Sequence, residues 1–186
     1  MADPPGGLPP GRAADAGAPR FASIARCSAG GGCPGPACGA LAQAQPDGRS
    51  VELRACGVLD LYFTGGTVVA LPGGPSLALH IGRFDLQPTV RVEASADGTR
   101  YVDIGFLNAT PTADSRCVAA RVAGRLLLDL AAGSAGSVAG GGCRSVAQVT
   151  ALRLSTEASG TAGATGGGTL ELDAVEALEG AFRPGG

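Results

Sequence analysis

From residue 50 onward, apolar and polar residues alternate with a period of two over much of the chain. Val51-Glu52-Leu53-Arg54 alternates, and Val58-Leu59-Asp60-Leu61-Tyr62-Phe63 places Leu59, Leu61 and Phe63 on one face. That is the spacing of a half-buried strand. Short apolar runs over 67–71 and 76–81 flank Pro72-Gly73-Gly74-Pro75, a strong breaker. Residues 89–95 alternate again, Asp97-Gly98 follows, and 100–105 runs extended. Asp-Gly between two extended runs predicts a hairpin, because glycine accepts positive φ without strain. Further strands are expected over 126–130, 148–155 and 170–178, the last packed on both faces.

No segment has the pattern of an amphipathic helix. Residues 131–139 are small and glycine-broken, and the glycine-rich stretches 133–142 and 159–168 read as surface loops. About eight short strands separated by Gly/Pro turns predict an all-β fold, a two-sheet antiparallel β-sandwich. The organisation expected is a Pro/Gly/Ala-rich tail or linker over 1–20, a sandwich domain over 21–179 and a flexible C-terminus over 180–186. Residues 27–39, rich in Cys, Gly and Pro, are expected to be loop.

Composition limits the core. Of the 186 residues, 45% are hydrophobic, but 34 are Ala, and Val, Ile, Leu, Met and Phe together number 41. That suffices for one modest core. The 14 basic residues are all Arg, which excludes a lysine-bearing phosphate loop. The net charge of −2 argues against nucleic acid as a partner. No run of 18 apolar residues is present to span a membrane.

Six cysteines, Cys27, Cys33, Cys38, Cys56, Cys117 and Cys143, make an even set, and disulfides are the leading reading. They allow 15 pairings among which the sequence does not choose. The alternatives are free buried thiols or a zinc site at Cys27, Cys33 and Cys38, whose spacing lacks a CxxC pair. The cysteines point to an exported protein. The start of the chain does not read as a secretory signal, having Asp3 and several prolines where an apolar run belongs. The chain is then either one that has lost its signal or an internal piece of a longer protein.

Four stretches carry a family resemblance. They are Phe21-Ala22-Ser23 leading to Gly39-Ala40-Leu41 and Pro46-Asp47-Gly48; Gly57-Val58-Leu59-Asp60-Leu61-Tyr62-Phe63; Val90 to Gly98 with Tyr101-Val102-Asp103-Ile104-Gly105; and Leu170 to Leu178. In this order they resemble the galactose-binding-like, discoidin-type jelly-roll modules of bacterial cell-surface proteins, over about residues 21–179. The resemblance implies an eight-stranded jelly roll that binds carbohydrate through loops at one end, or an adhesive spacer in a modular exported protein. It also implies a structural calcium, with Asp173 in the last strand as a ligand and Asp47 in the early loop as its partner. The chain departs from that pattern in two ways. The 72–76 loop holds no carboxylate, and there is no Trp and only Tyr62 and Tyr101 to stack on a sugar.

Other candidates have plainer readings. His80 is expected to be a hydrogen-bonded strand residue, Glu171 and Glu176 solvated edges, Asp97 a turn former and Asp103 an outward strand residue. Asn108-Ala109-Thr110 has the form of a glycosylation sequon. No G-x-S-x-G, H-E-x-x-H or strand-following G-x-G-x-x-G occurs, so an enzyme is not expected. The expectation is a noncatalytic surface or exported module that recognises a glycan or other cell-surface polymer. The alternative is a structural spacer with no ligand of its own.

Overall fold

The computed structural model describes residues 20–22, 24–29, 46, 48, 50–53, 57–84, 90–107, 118–131, 145–156 and 170–185. Among these are thirteen strands and no helix. In chain order they are β1 (Ile24–Ala29), β2 (Val51–Leu53), β3 (Gly57–Tyr62), β4 (Gly66–Val69), β5 (Leu77–Phe84), β6 (Val90–Ser95), β7 (Val102–Leu107), β8 (Val118–Val122), β9 (Arg125–Leu128), β10 (Gln148–Val149), β11 (Ala151–Thr156), β12 (Leu170–Ala177) and β13 (Phe182–Pro184).

Every described pairing is antiparallel. A front sheet has the order β1-β3-β11-β6-β7, a back sheet β2-β12-β5-β9-β8, and a small ribbon β10-β4-β13. The all-β sandwich class expected from the alternation is therefore the observed one, with two five-stranded sheets and a ribbon where about eight strands were expected.

The period-two pattern builds the core directly. Leu59 and Leu61 of β3, Leu152 and Leu154 of β11 and Val92 of β6 face Leu53, Leu77, Leu79, Leu126, Leu128, Leu170 and Leu172 of the back sheet, all at most 2% exposed and in one cluster. Burying each such side chain is worth roughly 1.5–3 kcal/mol. Val68 of β4 and Val149 of β10 tie the ribbon into the same cluster.

Four elements differ from the expectation. The loop read over 27–39 begins later, because β1 pairs with β3 along its whole length from Ile24↔Tyr62 to Ala29↔Gly57. The C-terminus read as flexible over 180–186 instead forms β13, which pairs with β4, and Ala181 is fully buried ahead of it. At the other end, Arg20 belongs with the sandwich, since its carbonyl accepts from Ala177 N at 2.7 Å. Residues 148–155, read as one strand, break at Thr150. There Thr150 N donates to Ser95 O at 2.8 Å and its carbonyl accepts from Phe63 N at 2.9 Å, so the chain passes from the ribbon into the front sheet.

The hairpin at Asp97-Gly98 is as expected, with β6 paired to β7 and Gly98 at φ +74°. A second hairpin, β8–β9, had no such signal. Its two-residue turn between Val122 and Arg125 is Ala123-Gly124, at φ +44° and +79°. Positive φ at both turn residues is the geometry that suits the twist of a two-residue hairpin. Ala123 is strained there by its Cβ. Ala123→Gly is expected to raise stability by about 0.5–1 kcal/mol, read as a higher urea midpoint at unchanged slope.

Candidate ligand-binding face

Inward leucines on β3 and β11 force their neighbours outward, so Asp60 and Tyr62 of β3 and Arg153 of β11 lie on the outer face of the front sheet. Strand register then brings them together. Arg153 stands opposite Asp60 on one side and Glu93 of β6 on the other, and Glu93 stands opposite Asp103 of β7. Arg153 Nε donates to Asp60 Oδ1 at 2.7 Å and its terminal nitrogen to Asp60 Oδ2 at 3.0 Å, a two-pronged pair. These bonds hold the Arg153 guanidinium yet more firmly protonated. One strand over, Arg91 donates to Asp103 Oδ2 through Nε at 2.8 Å and a terminal nitrogen at 2.6 Å.

Two aromatic rings join this ladder. The Arg153 guanidinium lies over the Tyr101 ring, 4.0 Å from its centroid. Tyr62 is packed beside the 96–100 turn, where a Cβ added to Gly98 would lie 3.7 Å from its ring. The Tyr101 hydroxyl is buried, with Tyr62 alongside but outside hydrogen-bond geometry. Burial pushes the Tyr101 phenol well above its ordinary value, and the Tyr62 hydroxyl and the Asp60 charge act in the same direction.

The turn that positions Tyr101 is held by Asp97. Its Oδ1 accepts from Thr99 N and Arg100 N, both at 2.8 Å, and from the Ser95 hydroxyl at 3.0 Å. Those backbone donors, Arg100 first, hold the Asp97 carboxyl far below the usual carboxylate range. Past the same turn lies an open depression of about 310 Å³, with Ala94, Val102 and Val146 among its apolar lining and Arg100 and Gln148 among its polar lining.

The outer face thus places two half-buried rings, one with the Arg153 guanidinium over one of its faces, beside fixed donors and acceptors. A ring face attracts apolar C–H surface, and a fixed guanidinium–carboxylate pair presents donor and acceptor to hydroxyl groups. Sequence reading missed this combination. Tyr62 and Tyr101 were visible as strand tyrosines, but only register brings Arg153 and Asp60 to them.

The other candidates lie elsewhere. His80 sits on the outer face of the back sheet, where its Nε2 donates to Glu176 Oε2 at 2.9 Å. Glu176, expected to be solvated, is only 6% exposed. It is covered because residues 20–22 lie along β12, with Phe21 paired to Glu176 and the Arg20 guanidinium 2.7 Å from Glu176 Oε1. The Phe21 ring stands 6.4 Å from that of His80. Glu171 is half-buried, packed near Gly82.

Asp173 accepts from Gly48 N through Oδ2 at 3.1 Å, so the last long strand and the early loop do meet. Asp47 lies outside the described residues. Among the described residues no group of three or more His, Cys, Asp or Glu is placed to hold a metal ion, and calcium takes six to eight oxygens. Cys33, Cys38, Cys56, Cys117, Cys143 and Asn108 lie outside the described residues, and Cys27 is described only as a β1 backbone position opposite Leu59.

No protein-family model matches this chain, no curated protein matches it, and no solved structure matches it. The family resemblance is met at the level of an all-β architecture of antiparallel sheets.

Two outcomes follow from the turn and the ring it holds. The Asp97 carboxyl titrates lower folded than unfolded, so it adds stability above the unfolded value of about 3.9, and this is lost as pH falls through the acid range. The melting temperature of Asp97→Asn is therefore expected below wild type at pH 7, with the gap narrowing steadily toward pH 2. Tyr101→Phe removes a buried hydroxyl that has no partner. It is expected to leave stability unchanged or raise it by about 1 kcal/mol, measured by urea unfolding.

Proposed function

We propose that this chain is a noncatalytic recognition module of an exported or cell-surface protein, and that its ligand is carbohydrate held on the outer face of the front sheet. One observation carries the reading. The two tyrosines of the chain come from sites 39 positions apart in sequence and lie beside the same Arg153–Asp60 pair. A pyranose presents one apolar C–H face and a rim of hydroxyls. A ring supplies the first contact, and a guanidinium and carboxylate locked in place supply the second without losing side-chain freedom on binding.

The resemblance to galactose-binding-like modules supports the same ligand class. It differs in the site, since those modules bind through loops at one end. The noncatalytic part rests on His80, whose ring is bonded to a carboxylate that also holds Arg20 and the incoming chain, an arrangement suited to a structural tie.

The test is affinity electrophoresis in gels cast with soluble neutral polysaccharides, on wild type, Tyr101→Ala, Tyr62→Ala and Tyr101→Phe. Wild type is expected to be retarded by at least one of them. Tyr101→Ala and Tyr62→Ala are each expected to bind about tenfold more weakly, while Tyr101→Phe, which keeps the ring, binds as wild type does. Unfolding midpoints of the variants separate a lost contact from a lost fold. Absence of retardation in every gel would instead favour the spacer reading.

A further inference from the structure

The face continues beyond the tyrosines. Phe106 of β7 is 36% exposed, the partner of the outward Arg91, and lies on the same outer side of the front sheet. It is five positions along the chain from Tyr101, one of them taken up by a bulge in β7, so at about 3.3 Å per residue the separation is about 13 Å along the strand. Between the two rings lie Asp103 and Glu93, and Arg91, opposite Phe106, reaches back to Asp103. A strip with an aromatic ring at each end and polar groups between them is longer than a single sugar.

The charges of the strip say what kind of polymer suits it. Arg153 is paired with Asp60 and Arg91 with Asp103, and Glu93 stands between those pairs. Both of these cations are matched by fixed carboxylates, and Glu93 is offset by the exposed Arg100 of the turn beside Tyr101, so the strip carries no net positive charge. An acidic polymer finds no excess of cations there to attract it, whereas an uncharged one meets an array of fixed donors and acceptors.

Resting on the carbohydrate reading above, we infer that the ligand is an uncharged, extended polysaccharide lying along β7 and β6, with Tyr101 stacking one sugar and Phe106 another several units away. A terminal sugar alone reaches only the Tyr101 end. The Phe106 ring is a specificity element for chain length, and the Glu93–Asp103–Arg91 row gives acidic chains no excess of cations.

The experiment is isothermal titration with β-1,4-linked cello- and manno-oligosaccharides from the disaccharide to the hexasaccharide, and with oligogalacturonates of the same lengths. The proteins are wild type, Phe106→Ala, Phe106→Tyr and Tyr101→Ala. For a neutral series that binds, affinity is expected to rise about tenfold or more from disaccharide to hexasaccharide. Phe106→Ala removes that rise and leaves disaccharide affinity as in wild type, Phe106→Tyr restores the rise, and oligogalacturonates do not bind. Equal affinity for disaccharide and hexasaccharide, or Phe106→Ala matching wild type on the hexasaccharide, overturns the extended-chain inference while the Tyr101 site stands. Tighter binding of the oligogalacturonates overturns it too. Failure of both neutral series by a protein that some polysaccharide gel retards overturns the inference alone, whereas failure of both series with no retardation in any gel, or wild-type binding by Tyr101→Ala, removes the carbohydrate reading and the inference with it.

Discussion

Everything on the surface of this molecule depends on the register of leucines between its two sheets. Among the described residues the largest fully buried side chains are all leucine, drawn from both sheets. Alanine is abundant but offers little area, so these rows supply most of what holds the layers together. A strand that slipped by one residue would turn its leucines to water. The same slip would send Asp60, Tyr62 and Arg153 into the core. The core and the candidate binding face are therefore two readings of one alternation.

That alternation explains what was legible before the structure. Leu59, Leu61 and Phe63 announce their face by spacing alone, and Asp97-Gly98 announces its turn by the chemistry of its two residues. β1 was hidden because its few strand-like residues run straight into a Cys/Gly/Pro cluster. β8 was hidden because Ala123-Gly124 is not a pair that normally marks a hairpin, alanine being costly at positive φ. β13 is only three residues long and holds its place by pairing to β4, a contact between positions more than a hundred residues apart. The break at Thr150 is likewise a matter of partners, since both flanking stretches have ordinary strand composition.

The candidate face was legible only in its parts. Local pattern says that Tyr62 and Arg153 point outward, but not that they are neighbours, because antiparallel register between β3 and β11 is set by packing across the whole sheet. Glu176 shows the same limit from the other side. As a glutamate in an alternating strand it reads as solvated, and it is buried because residues 20–22 return to cover it. Once covered, its two oxygens are taken up by Arg20 and His80, which is how a carboxylate tolerates such a place.

The short clasp of residues 20–22 on β12 has a mechanical meaning. It runs antiparallel to that strand, so tension entering the chain ahead of Arg20 peels the clasp open one rung at a time. The first rung to be loaded is the bond from Ala177 N to Arg20 O. It is also the rung that the buried Glu176 carboxylate fastens through the Arg20 side chain, so the clasp is strongest where pulling begins. Load from that side must break an ion pair with one buried partner before it reaches the leucine layers, and the sandwich behind it stays at rest.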